Sequence, residues 1–142
     1  MSEAERKNTE RRDTCRILIA EDDPEMAALL VRALAGAGYE TVTCSNGLDL
    51  LRHLNFSRSG AVQDRSDLVI SDIRMPGVTG LDVLRAASFS DGFPPIILIT
   101  AFGDEWTHGK ARYLGAVDIF DKPFDIEDLV NRVRELVPPA ER

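Results

Sequence analysis

Five short apolar runs, "RILIA" (16–20), "ETVTC" (40–44), "DLVIS" (67–71), "PIILIT" (95–100) and "VDIF" (117–120), constrain this chain more than any other feature. Each is too short for a packed helix and rich in branched side chains, the pattern of strands buried on both faces. The segments between them carry the helical period instead. Met26, Leu29, Leu30, Ala33, Leu34 and Ala37 recur at three- and four-residue steps, one face of a helix that Asp23 caps, Pro24 opens and Gly38 ends. Leu48, Leu51 and Leu54 mark a second helix, and Leu81, Leu84 and Ala87 a third. Ile126, Leu129, Val130, Val133 and Val137 mark the last, capped by Asp125. "DEWTHGKARYL" (104–114) predicts the weakest helix, because its apolar period is poor and Gly109 costs about 1 kcal/mol relative to alanine. Strands alternating with helices predict an α/β fold around a five-stranded parallel sheet.

The 142 residues suit one domain. A chain of this length buries about 68–70% of its unfolded surface, so folding needs neither a disulfide nor a structural metal. Polar, mixed-charge residues 1–14 predict a flexible tail, 15–137 the folded domain, and 138–142 a C-terminal tail or the start of a linker. "NFSRSGAVQDRS" (55–66) predicts a long surface loop. Cys15 opens the first strand and Cys44 closes the second, which in a parallel pair sets them roughly 13–16 Å apart. That is too far for a disulfide, and two free thiols suit a reducing, cytoplasmic setting. A net charge of −7 speaks against a nucleic-acid surface, which needs clustered Lys and Arg. No apolar stretch reaches membrane-spanning length, and the first residues lack the hydrophobic core of a signal peptide.

Chemistry collects where the runs end. Glu21, Asp22 and Asp23 follow the first, Asp72 follows the third, Thr100 closes the fourth, and Asp121 and Lys122 follow the fifth. In an open parallel sheet the carboxyl ends of the strands share one edge, and ligands bind there at the switch in strand order. These groups therefore converge if strands one, three, four and five are neighbours. Two carboxylates about 4 Å apart repel by roughly 4 kcal/mol at an effective dielectric of 20. Such a cluster takes up a proton or a cation. Glu21, Asp22 and Asp72 offer only hard oxygen donors, which favour Mg²⁺. With Lys122 and Thr100 opposite, the set has the parts for phosphoryl chemistry.

"ILIAEDD" (17–23), "LVISDIRMPG" (68–77), "IILITA" (96–101) and "DKPF" (121–124), in this order, resemble the receiver domain of two-component response regulators over about residues 15–137. The resemblance implies a doubly wound, flavodoxin-like sheet of order 2-1-3-4-5 flanked by five helices. It implies that Asp72 accepts a phosphoryl group and that Glu21, Asp22, Asp72 and the carbonyl of Arg74 hold Mg²⁺. Thr100 would hydrogen-bond the phosphoryl group, Lys122 would contact its oxygens, and the Lys122–Pro123 bond would be cis. The implied donor is a phosphohistidine on a sensor histidine kinase or a histidine phosphotransfer protein. The added charge would switch a surface around the fourth helix, fifth strand and last helix toward an unidentified output protein or a phosphorylation-dependent homodimer. The chain then acts as a switch rather than an enzyme.

Some positions depart from the family pattern. Ile119 stands where the family has a switching aromatic, and Phe120 should point to the other face of the strand. Trp106 and Tyr113 are expected in ordinary packing. Arg74 and Phe102 are large at positions that tune hydrolysis, so they should hinder water and lengthen the phosphoryl lifetime. Asp121 reads as a solvated charge, and His53 and His108 as isolated surface residues. Other functions stay open: a relay intermediate or phosphate sink, or the receiver piece of a longer transcriptional regulator. A Mg²⁺-dependent phosphohydrolase with an aspartyl nucleophile needs a second carboxylate where Arg74 stands. A flavodoxin-like electron carrier needs a Ser/Thr/Gly-rich first loop, whereas "EDDPE" repels phosphate.

Overall fold

The computed structural model describes residues 14–54, 65–90, 92–101 and 103–140. The expected tail up to residue 13, the loop from 55 to 64 and Phe102 lie outside them. Five strands, β1 (Arg16–Ala20), β2 (Glu40–Cys44), β3 (Leu68–Asp72), β4 (Ile96–Thr100) and β5 (Asp118–Asp121), pair in parallel in the order β2-β1-β3-β4-β5. Helices α1 (Pro24–Gly36), α2 (Gly47–Leu54), α3 (Gly80–Ser88), α4 (Glu105–Tyr113) and α5 (Ile126–Leu136) connect and cover them. This is the doubly wound arrangement expected from the sequence. β3 runs one residue past its apolar stretch, because Asp72 still pairs with Ile99 and the Ile73 N–H donates to the Ile99 carbonyl at 2.8 Å. Backbone pairing, not side-chain polarity, ends the strand.

Alternation of side chains across the pleat divides the core in two. Ile17, Ile19, Ile70, Ile97 and Ile99 face α1 and α5, meeting Leu30, Leu34, Leu129 and Val133. Leu18, Val69 and Leu98 face α2, α3 and α4, meeting Leu50, Leu54, Val83, Leu84 and Ala111. β3 and β4 are buried throughout, as central strands of a covered parallel sheet must be, while β2 and β5 are partly exposed edges. Leu29 and Leu48, read as helix-face residues, lie at the margins of those faces and stay exposed.

The helix starts are capped as the sequence suggests, and more widely. Asp23 accepts from the Glu25 N–H at 3.0 Å and Asp125 from the Glu127 N–H at 2.9 Å. Thr79 and Asp82 form a reciprocal capping box on α3, and Asp104 accepts from the Thr107 N–H at 2.7 Å on α4. Each cap satisfies an otherwise unpaired donor and is worth about 1 kcal/mol. Gly38, at φ 100°, turns the chain out of α1. Cys15 and Cys44 are unbridged, as their places at opposite strand ends require. After α5 the chain is held at the opposite rim of the sheet, where the Tyr39 hydroxyl donates to the Val137 carbonyl at 2.6 Å and the Cys15 thiol to that of Pro138 at 3.4 Å.

Helix α4 corrects one expectation. Trp106 and Tyr113 are not packed: they are 70% and 84% exposed. Seven residues apart, they share one helical stripe, and it points outward. The inward stripe is Thr107, His108, Ala111 and Leu114, of which only Ala111 is fully buried.

Candidate functional site

β1 and β3 are neighbours, and Ala20 pairs with Ser71, so the next residue of each strand, Glu21 and Asp72, arrives at the same level of the sheet edge. The Glu21 N–H donates to the Cys44 carbonyl at 3.1 Å, anchoring the turn out of β1. Both carboxylates are buried, Asp72 being only 6% exposed. On the other side of β3, Ile99 pairs with Asp72 and Thr100 is one step further on, itself buried. The backbone N–H of Lys122 donates to the Thr100 carbonyl at 2.7 Å, which fixes where the lysine leaves β5. From there its Nζ lies 2.9 Å from Glu21 Oε1 and 3.0 Å from Asp72 Oδ2. Asp72 Oδ1 accepts from the backbone N–H of Arg74 at 3.1 Å. The Lys122–Pro123 peptide is cis, as expected.

The oxygens of Glu21, Asp22 and Asp72 lie within 4.8 Å of one another, with Asp22 open to solvent. The structure thus brings together Glu21, Asp22, Asp72 and Lys122 by side chain, Thr100 by register and Arg74 by its backbone. Asp23 stands apart as the cap of α1.

Burial is the largest cause raising the Glu21 carboxyl to about pKa 7, with the neighbouring Asp72 adding to it and Lys122 opposing. For Lys122 burial works the other way, toward a lower pKa, but the hydrogen bonds to Glu21 and Asp72 outweigh it and hold the ammonium above its ordinary value. When Glu21, Asp22 and Asp72 all ionise, the one lysine leaves two negative charges unbalanced. A divalent ion restores neutrality, and an all-oxygen donor set with one solvent-facing member fits a hard cation that keeps some of its waters.

Two residues depart from their sequence reading. Asp121 is not simply solvated, nor is His108 isolated: His108 Nε2 and Asp121 Oδ1 are 2.9 Å apart. No spacing rule foretells that pair, because it joins α4 to β5 across the sheet edge. Ile119 and Phe120 face opposite ways as expected, Ile119 into the core under α2, α3 and α4 and Phe120 into the other. Phe120 meets Phe124 edge-on, with ring centroids 5.7 Å apart.

Gly80 went unmarked by sequence reasoning. A Cβ there would press on the carbonyl of Asp72 and the Cα of Ile73. The capping box beside it was legible as Thr79 followed three residues later by Asp82, a start signal for α3. The need for glycine was not, since it depends on how closely α3 approaches β3. Gly77, at φ 75°, makes the turn between them.

An open parallel sheet with its chemistry along the carboxyl edge places the molecule in the flavodoxin-like class of doubly wound α/β proteins. Within that class, the chain belongs to the response regulator receiver domain family, whose family model matches residues 17–134. It is 35% identical over 121 residues to the DNA-binding transcriptional regulator NtrC of Escherichia coli K12, covering 85% of this chain and 24% of that protein. It is 31% identical over 123 residues to sporulation initiation phosphotransferase F of Bacillus subtilis, covering 87% and 94%. The chain therefore spans about a quarter of the one relative and nearly all of the other. Among solved structures, chemotaxis protein CheY4 of Vibrio cholerae superposes with a TM-score of 0.75 at 25% identity, covering 87% of this chain and 99% of that one. These relatives are named as regulators and a phosphotransferase, in keeping with a signalling role. No helix among the described residues is long and apolar enough to cross a membrane.

Proposed function

We propose that Asp72 accepts a phosphoryl group from a phosphohistidine on a sensor histidine kinase or histidine phosphotransfer protein, and that this charge switches a protein-binding surface. One observation carries the reading: Lys122 Nζ lies within 3.0 Å of both Glu21 and Asp72 while the oxygens of Glu21, Asp22 and Asp72 cluster within 4.8 Å. An oxygen of Asp72 attacks phosphorus as the P–N bond of the phosphohistidine breaks. The imidazole leaves with the bonding electrons and takes up a proton, and an acyl phosphate remains. Lys122 neutralises charge on the transferring oxygens, and Thr100 hydrogen-bonds the phosphoryl group. Glu21, Asp22, Asp72 and the Arg74 carbonyl would hold Mg²⁺, which supplies further neutralisation of that charge.

The modified Asp72 then competes for Lys122 and Thr100, which adjoin β5 and the turn into α4. The surface of α4, β5 and α5 is accordingly the output face, toward a partner protein or a second copy. With Ile119 facing the core, no aromatic side chain at that position takes part in the switch. A relay or phosphate-sink role is the reading that the likeness to sporulation initiation phosphotransferase F suggests. A part in transcriptional regulation rests on the partial match to NtrC. The test is incubation with Mg²⁺ and a small acyl phosphate donor, followed by intact mass. Wild type should gain one phosphoryl group and Asp72→Asn none; an adduct that persists in the variant removes Asp72 as the acceptor.

A further inference from the structure

We infer that His108 is a positioning residue: its bond to Asp121 latches α4 to the end of β5 and so holds the turn out of β4 and the strand end bearing Lys122 in their unphosphorylated arrangement. The inner stripe of α4 is poor in apolar contact, with Thr107 and His108 where α5 carries Leu129, Val130 and Val133. Among the described residues, the side-chain hydrogen bond that ties α4 to the sheet is His108 Nε2 to Asp121 Oδ1 at 2.9 Å, beside the apolar packing of Ala111 and Leu114. Asp121 pairs with Thr100 in the sheet and directly precedes Lys122, so the latch grips the two strand ends that flank the phosphoryl chemistry. Gly103, between Thr100 and α4, lies against this pair: a Cβ there would meet the Asp121 carboxylate and the imidazole, and both side chains would have to move to admit it. Gly103, the helix and the strand end thus meet at this pair.

The consequence for signalling rests on the phosphoacceptor reading, but the latch itself does not. Hydrogen exchange of the α4 amides, corrected for intrinsic rates, measures it without any donor. His108→Ala should lose about three- to fivefold in α4 protection, the scale of one surface pair. His108→Gln, which retains a hydrogen bond toward Asp121, should recover most of it, and β3 and β4 should be unchanged in both variants. With Mg²⁺ and the small acyl phosphate, His108→Ala should take up phosphoryl faster than wild type, and His108→Gln at close to the wild-type rate. Equal α4 protection in wild type and His108→Ala, or no rescue of protection and uptake by His108→Gln, overturns the latch. Failure of wild type to form any adduct overturns the acceptor reading, and the exchange data then decide the latch alone.

Discussion

A methyl group added at Gly80 would meet the carbonyl of Asp72 and the backbone of Ile73, neither of which can rotate aside. Alanine in place of glycine should gain up to about 1 kcal/mol of helix propensity. Forcing a contact into packed backbone costs about 1–3 kcal/mol, so the clash should win. Gly80→Ala is therefore expected to destabilise the fold by a net of about 1 kcal/mol, read as a lower urea midpoint, and to slow phosphoryl uptake by shifting Asp72. A variant as stable as wild type would show that α3 yields more easily than its packing suggests. At this scale the sequence disclosed which polar residues end the strands and meet at the sheet edge, because type and place at a strand end were enough. It did not disclose Gly80, Gly103 or the His108–Asp121 pair, whose roles exist only between elements distant along the chain.

Helix α4 was legible as an element and legible as weak. Its poor apolar period reappears as a face with a single fully buried residue, and its glycine lies in open space, with nothing within 4 Å of where a Cβ would stand at Gly109. Here propensity acts unopposed. Gly109→Ala should strengthen α4 by about 1 kcal/mol, seen as roughly fivefold slower exchange of its amides. It should also make the proposed switch harder to throw, lowering phosphoprotein at steady state. Unchanged exchange would mean that the glycine does not limit this helix. What periodicity could not tell was the direction of Trp106 and Tyr113. Large aromatic side chains read as core by type alone, and only the docking angle of α4 turned their stripe to solvent.

Across the whole molecule, folding buries Glu21 beside Asp72 and raises its carboxyl from an ordinary value of 4.5 to about 7. A carboxyl raised in the folded state contributes stability that is full below its unfolded pKa and is lost as pH rises through the folded one. In chelated buffer, the melting temperature of wild type relative to Glu21→Gln should therefore fall between about pH 5 and about pH 8. Mg²⁺ should restore more of it at the higher value, where the cluster is ionised. A difference that stays constant with pH would place the strain elsewhere. By itself the sequence determined five strands, five helices and the residues that end each strand, because those follow from local period, capping and polarity. The tertiary structure alone decided what a sheet edge can do with them. Strand order and register carry Lys122 across β4 and β3 to Glu21, about one hundred residues away in the chain, and no local rule fixes a distance of that kind.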